Sequence, residues 1–241
     1  GQTTIIEATI SQILSTYLNQ VQESLGRTTR LRVMGSSGTL LLPDHLLAKD
    51  TILSGPAGGM VGAIAAADSA GLNQRPLVGF DMGGTSTDVF YVKTNQVENW
   101  ERLPETEIAG LRLIAQRLPI HTVASGGGSI IHTDGERLQV GPESAGANPG
   151  PACYRRNGPL TITDANLFLG RIQEKTFPAV FGPSGNENLD KSIVIKNIMT
   201  LAKELSSSPE DIAEGAISIA IEKMADAIKK VSLLCGHDIR E

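Results

Sequence analysis

The run Phe80-Asp81-Met82-Gly83-Gly84-Thr85-Ser86-Thr87-Asp88 sets an acid, two glycines and three hydroxyls between the apolar stretches Pro76–Gly79 and Val89–Val92. The pattern predicts a strand, a tight turn and a second strand. The residue types in the turn suit a nucleotide phosphate. Gly83 and Gly84 let the backbone approach an anion and permit a positive φ that a side chain would penalise. Successive N–H groups in such a turn form an anion-binding concavity, and Thr85, Ser86 and Thr87 add hydroxyl donors. Asp81, at the end of its strand, is a candidate to hold a hydrated Mg²⁺ or to orient a water. A plain β-hairpin with a Gly-Gly turn and a capping Asp satisfies the same spacing.

Three further stretches carry related signals. Ser125-Gly126-Gly127-Gly128-Ser129 follows the predicted strand Ile120–Ala124 and is a second candidate phosphate or ribose contact, although triple glycine also marks ordinary tight turns. Leu53–Gly59 runs into the nearly all-apolar Met60–Ala70, which predicts a buried helix whose N-terminus lies at the glycine turn. Such an end suits an anion, and equally suits close packing on a sheet. Leu138–Pro151 holds too many turn formers for helix or strand, and a long irregular segment inside a compact domain is usually functional or disordered. Glu143 and Ser144 lie within it. Asp164, after the predicted strand Leu160–Thr163, reads as the cap of a helix Ala165–Leu169. No Walker A or dinucleotide-binding fingerprint is present.

The surrounding elements follow from periodicity. Apolar residues from Ile5 to Leu25 repeat at three and four, a helical stripe that Gly26 stops. Leu31–Met34 is a short strand and Pro43–Lys49 a short helix. Leu77–Asp81 and Val89–Thr94 are strands, with Glu98–Leu103 as a pairing partner. The last third is helical. One stripe runs from Leu189 to Leu205. A second helix opens with Ser208 as N-cap, Pro209 at the first position and acids after it, and buries Ile212, Ala216, Ile219, Ala220, Met224, Ala227 and Val231. Lys223, Lys229 and Lys230 are read as solvating its outer face. His121 and His132 flank the triple glycine without a third ligand at metal-binding spacing.

Composition narrows the class. With 40% hydrophobic and 20% charged residues in 241, the chain suits one large or two modest globular domains. A net charge of −5 and an aromatic content of 4% argue against nucleic-acid binding. Cys153 and Cys235 form no metal spacing and fit a reducing compartment. No stretch approaches a membrane span and no signal peptide is visible, so a cytoplasmic setting is expected. The chain lacks an initiator Met and stops just past a helix, which reads as a piece of something longer.

Taken together, the motifs resemble the hydantoinase A (hydantoinase/oxoprolinase) family, which includes ATP-dependent hydantoinases, 5-oxoprolinase and the β-type subunit of acetone carboxylase. The matching stretches are Ser54–Gly59, Phe80–Val89, Ser125–Ile130, Val140–Tyr154, Thr163–Arg171 and Lys223–Ser232, in family order across nearly the whole chain. The resemblance implies an α/β fold of the actin-like ATPase (ribonuclease H-like) class, a mixed sheet with flanking helices. Residues 1–241 would form a hydantoinase A domain fragment that carries the second phosphate turn and a C-terminal helical part. ATP would lie in a cleft between two halves, with the amino-terminal half and a later glycine-rich segment outside this chain. On that match Asp81 faces Mg²⁺ or the attacking water, Gly83, Gly84, Thr85, Ser86 and Thr87 contact phosphate, and Gly126, Gly127 and Gly128 are further cleft residues. The implied activity is ATP-dependent opening of a cyclic amide such as a hydantoin or 5-oxoproline by phosphoryl activation of its carbonyl, with a hydantoinase B-type subunit as partner. Alternatives are an ATP-dependent ketone carboxylase subunit, a non-catalytic actin-like nucleotide-binding module, or a sugar or acetate kinase of the same superfamily. Glu143 is the one candidate general base, and a structural role suits it better. The fragment alone is expected to be inactive.

Overall fold

The computed structural model describes residues 1–26, 28–72, 75–93, 100–108 and 110–236. The chain forms two compact units. The first comprises Gly1–Gly79 and Phe90–Ile120, the second Phe80–Val89 and the chain from His121 onward.

In the first unit, α1 (Gln2–Leu25) ends at Gly26 as its sequence predicts. Leu18 is its buried residue, and Ile5, Ile13 and Tyr17 face outward. Glu7 ties α1 down by accepting the N–H groups of Ala48 and Lys49 at 3.2 and 2.7 Å. β1 (Val33–Met34) pairs antiparallel with β2 (Leu40–Leu41). The predicted helix Pro43–Lys49 is instead two 3-10 turns, Pro43–His45 and Ala48–Thr51, because Leu46 and Leu47 between them are extended. α2 spans Ser54–Ser69, so Gly55, Gly58 and Gly59 lie inside the helix and not in a turn before it. Pro56 allows this because the first helical turn has no N–H to lose. Ala57, Met60 and Ile64 of α2 bury against Phe90, Val92, Trp100 and Leu118. β5 (Leu103–Ile108) and β6 (Leu111–Arg117) form an antiparallel pair. The strand expected over 98–103 begins outside the described residues, and the strand observed is β5.

β3 (Leu77–Met82), β4 (Thr87–Val92) and β7 (His121–Val123) make one sheet in the order β3-β4-β7. β4 and β7 run antiparallel, with Thr87 opposite Val123 and Asp88 opposite Thr122.

In the second unit, β8 (Ser129–Thr133) pairs antiparallel with β9 (Leu138–Ser144). The first half of the stretch expected to be irregular is therefore a strand. A register shift between Ser129 and Ile131 absorbs Gly141 and Pro142, a bulge of the kind that admits proline in a sheet. Three helices close the unit: α3 (Ile162–Phe168), α4 (Lys191–Glu204) and α5 (Pro209–Leu234). Asp190 caps α4 through the N–H groups of Ser192 and Ile193. Ser208 caps α5 through Asp211, with Pro209 at the first position as predicted. Val194 and Ile198 of α4, Ala165 and Leu167 of α3, and Ala216 and Ala220 of α5 share one core. Lys223 does not solvate the outer face. Its ammonium donates to the Val140 carbonyl and ties α5 to β9, whereas Lys229 pairs with Asp226 in the open. Among the described residues no helix is long and apolar enough to cross a membrane.

Asp164 is not the N-cap of a helix that starts at Ala165. α3 begins three residues earlier with Thr161 as N-cap, and the predicted strand Leu160–Thr163 reduces to a single bridge between Ile130 and Thr161. Asp164 is the third helical residue. Fully buried, it accepts from Thr161 N–H and Oγ1 at 2.8 and 2.9 Å, and from the N–H groups of Ala152 and Cys153 at 3.0 and 2.9 Å. Four donors satisfy a buried carboxylate that would otherwise be very costly. Burial, with Asp164 alongside, pushes the Cys153 thiol pKa far up, so this cysteine stays protonated.

Candidate functional site

Asp81 stands near the end of β3, Thr87 opens β4, and Gly83–Ser86 connect the two strands. The Gly83 N–H donates to the Ser86 carbonyl at 2.8 Å and closes the turn. Asp81, Gly83, Gly84 and Thr85 are exposed, Ser86 is half-buried and Thr87 is fully buried. Neither Gly83 nor Gly84 has a positive φ, so the conformational freedom expected of them is not what the turn uses. A Cβ on Gly83 would lie 3.2 Å from the Ser86 carbonyl, while a Cβ on Gly84 would meet nothing within 4 Å.

The glycine loop 125–129 lies against one side of this turn. Gly127 N–H donates to the Gly83 carbonyl at 3.1 Å, and Gly128 N–H to the Gly84 carbonyl at 2.6 Å. Thr87 Oγ1 donates to the Ser125 carbonyl at 2.6 Å. The loop holds its own shape through Gly126 N–H to Ser129 Oγ at 2.9 Å and Ser129 N–H to the Gly126 carbonyl at 3.1 Å. Side chains are excluded here by backbone. A Cβ on Gly126 would lie 2.7 Å from the Gly83 oxygen, and one on Gly128 2.9 Å from the Gly84 oxygen.

These contacts set the direction of the turn's amides. In a trans peptide the C=O and the following N–H point opposite ways. With the Gly83 and Gly84 carbonyls drawn toward the glycine loop, the N–H groups of Gly84 and Thr85 point away from it, to the exposed side. Among the described residues neither N–H has a protein acceptor, and the hydroxyls of Thr85 and Ser86 have no protein partner. Two adjacent outward N–H groups and two hydroxyls are the kind of donors from which an anion-binding concavity is built.

The structure thus brings every expected site residue together but divides the labour differently. Gly83, Gly84, Thr85 and Ser86 line the open side, and Asp81 is exposed near the end of β3. Thr87 spends its hydroxyl proton on Ser125. Gly126, Gly127 and Gly128 spend their N–H groups on Ser129, Gly83 and Gly84, so these four residues brace the turn from behind. Sequence reading gave Asp88 and Thr163 no role in this assembly. Asp88 accepts from Thr122 Oγ1 at 2.6 Å across the β4–β7 pair, and Thr163 holds the Gly127 carbonyl. Their hydroxyl and carboxylate types were the available signal, but partners 34 to 36 residues away leave no local pattern.

A Mg²⁺ ion fits this donor set. Among the described residues no three His, Cys, Asp or Glu side chains cluster, and Mg²⁺ needs no such cage. It keeps several waters and takes one or two carboxylates beside phosphate oxygens. A carboxylate available for that place is Asp81, exposed near the end of β3. His121, at the start of β7, is held below its usual pKa by burial and by Lys230, and stays neutral. A separate pocket of about 710 Å³ in the first unit, lined by Gln22, Arg30 and Asp44 among others, contains none of these residues.

The family model described as hydantoinase/oxoprolinase matches residues 1–241. The chain belongs to the hydantoinase/oxoprolinase family. The 5-oxoprolinase of Saccharomyces cerevisiae is 39% identical over 249 aligned residues, covering 100% of this chain and 19% of that protein. The caprolactamase subunit alpha of Pseudomonas jessenii is 34% identical over 99% of this chain and 34% of its own length. The crystal structure of that ATP-dependent caprolactamase superposes with a TM-score of 0.71 at 33% identity, over 96% of this chain and 33% of that one. The nucleotide-free structure of acetone carboxylase, from work on ATP-dependent acetone carboxylation, superposes with a TM-score of 0.82 at 26% identity, over 98% and 33%. This family member therefore has the actin-like ATPase fold of those two structures. It spans about a fifth of the length of the yeast relative and a third of the solved chains.

Proposed function

We propose that residues 81–86 are a phosphate-binding turn of an ATP-dependent enzyme that opens a cyclic amide, of the 5-oxoproline or hydantoin kind, by activating its carbonyl. One observation carries this reading. The N–H groups of Gly84 and Thr85 are held outward beside a glycine whose missing Cβ leaves open space, so the fold itself does not require glycine at 84 and a closely approaching anion does. An amide in an unstrained ring resists attack because resonance leaves a poor electrophile. ATP, when bound, supplies the phosphoryl group that turns the amide oxygen into a leaving group. The turn's part is positioning and charge neutralisation. Gly84 and Thr85 donate backbone N–H groups, Thr85 and Ser86 donate hydroxyls, and Asp81 would hold Mg²⁺ or orient a water. The named relatives support an amide substrate: a 5-oxoprolinase and a caprolactamase both act on lactams by name. The caprolactamase relative is a subunit alpha, and a second subunit of hydantoinase B type is our expected partner, in the cytoplasm. We assign the whole of residues 1–241 to one hydantoinase A domain fragment, inactive alone.

The test is Asp81→Asn in the full-length protein with its partner subunit. ATP turnover should fall by about 100-fold or more, a loss typical of removing one electrostatic stabiliser, with circular dichroism unchanged. Wild-type turnover would refute the role of Asp81. A ketone carboxylase is a second reading, favoured by the acetone carboxylase TM-score of 0.82. Assaying ATP turnover with 5-oxoproline, with a hydantoin, and with acetone plus bicarbonate separates the two.

A further inference from the structure

We infer that Thr163 of α3 is a positioning residue for the phosphate turn, acting through the peptide plane between Gly127 and Gly128; this rests on the phosphate reading of residues 81–86. Thr163 gives both its donors to one acceptor. Its N–H and its Oγ1 each reach the Gly127 carbonyl at 2.8 Å. Two donors on one carbonyl occupy both lone pairs and fix the direction of that C=O bond. The same peptide unit carries the Gly128 N–H, which must point the opposite way. It points to the Gly84 carbonyl, 2.6 Å away. That carbonyl in turn shares a peptide unit with the Thr85 N–H, one of the two outward amides. Two trans peptide planes thus link Thr163 to a donor of the phosphate site.

The near end of this linkage is rigid. Thr163 lies between Ile162 and Asp164, both fully buried, and Asp164 is fastened by four donors from Thr161, Ala152 and Cys153. Gly127 is shaped to receive the threonine, since a Cβ there would lie 3.0 Å from Thr163 Oγ1. The hydroxyl is not needed to keep α3 folded. The Thr161–Asp164 capping box does that, and the Thr163 N–H alone still holds the Gly127 carbonyl after the hydroxyl is removed. What the hydroxyl adds is the tilt of the 127–128 plane.

The experiment uses the full-length protein with its partner subunit and compares Thr163→Val, which keeps the branched shape, with Thr163→Ser, which keeps the hydroxyl. Isothermal calorimetry with ADP, KM for ATP, kcat and melting temperature are measured for each. Thr163→Val should weaken ADP binding and raise KM for ATP by about 5-fold or more, the effect of one hydrogen bond, with the melting temperature close to wild type. Thr163→Ser should restore both to within about 2-fold, because it keeps that bond. A merely structural threonine would lower the melting temperature and leave KM alone. Wild-type ADP affinity in Thr163→Val, or a loss that Thr163→Ser does not rescue, would overturn the role of Thr163 while the phosphate reading stands. If the wild-type protein binds neither ADP nor ATP, the phosphate reading fails, and this role fails with it. Should the valine variant not fold, Thr163→Ala makes the same comparison.

Discussion

Gly84 and Gly126 belong to the same assembly and are glycines for opposite reasons. A methyl on Gly84 meets nothing, whereas a methyl on Gly126 meets the Gly83 oxygen at 2.7 Å. Neither has a positive φ, so alanine is conformationally tolerated at both. Gly84→Ala should therefore leave the urea midpoint unchanged or raise stability by a few tenths of a kcal/mol, about the unfolded-state effect of removing a glycine. It should still weaken ADP binding, because the methyl occupies the approach to the two outward amides. Gly126→Ala should cost about 1–3 kcal/mol by forcing backbone apart. Equal ADP affinity in Gly84→Ala and wild type would remove the main support for the site. The strand–turn–strand and the exposed glycines and hydroxyls of its turn were legible from residue types. The different work of Gly127, Gly128 and Thr87 was not, because their amides and hydroxyl are consumed by partners that only folding brings near.

Among the elements, α5 and α3 differ in how local their signals are. Ser208 and Pro209 announce the start of α5, and both cap and first turn form within three residues of one another. Removing that cap in Ser208→Ala should cost about 1 kcal/mol. α3 starts earlier than its sequence suggests because Asp164 answers to Ala152 and Cys153, 11 to 12 residues upstream, as well as to Thr161. Asp164→Ala should be far more damaging, about 3–5 kcal/mol by urea denaturation, since it strands several buried donors at once. A cost no larger than that of Ser208→Ala would show that the buried cluster relaxes or admits water. β9 was illegible for a related reason. Gly141 and Pro142 are turn formers by type, and only pairing with β8 through a register shift makes them strand residues. Lys223 was misread because its acceptor, Val140, is 83 residues away.

At the scale of the whole molecule, pH reports on carboxylates held by hydrogen bonds. Asp134 is held at about 2, first by the N–H of Glu136, then by those of Arg137 and by Gln139. For Asp190 burial pulls upward, but Ser192, the Ile193 N–H and Arg155 outweigh it and the net shift is downward. A carboxylate with a depressed folded pKa contributes stability that is full above its unfolded value, near 4, and lost as pH falls through the folded value. Thermal melts should therefore fall between about pH 4 and pH 2, and Asp134→Asn should flatten that limb. An unchanged acid limb in the variant would show that the turn between β8 and β9 does not hold Asp134 as described. By itself the sequence determined the local matters: the helical stripes of α1, α4 and α5, the Gly26 stop of α1, the Ser208 cap of α5, the strand–turn–strand around Asp81, and the family to which the motifs point. Those signals are carried by near neighbours along the chain, where periodicity and residue type suffice. Tertiary structure alone decided which donors remain free for a ligand. A hydrogen bond is exclusive, and whether the amides of Gly84 and Thr85 face outward depends on Gly127 and Gly128 binding the carbonyls of Gly83 and Gly84, a pairing of backbone groups that no side chain announces.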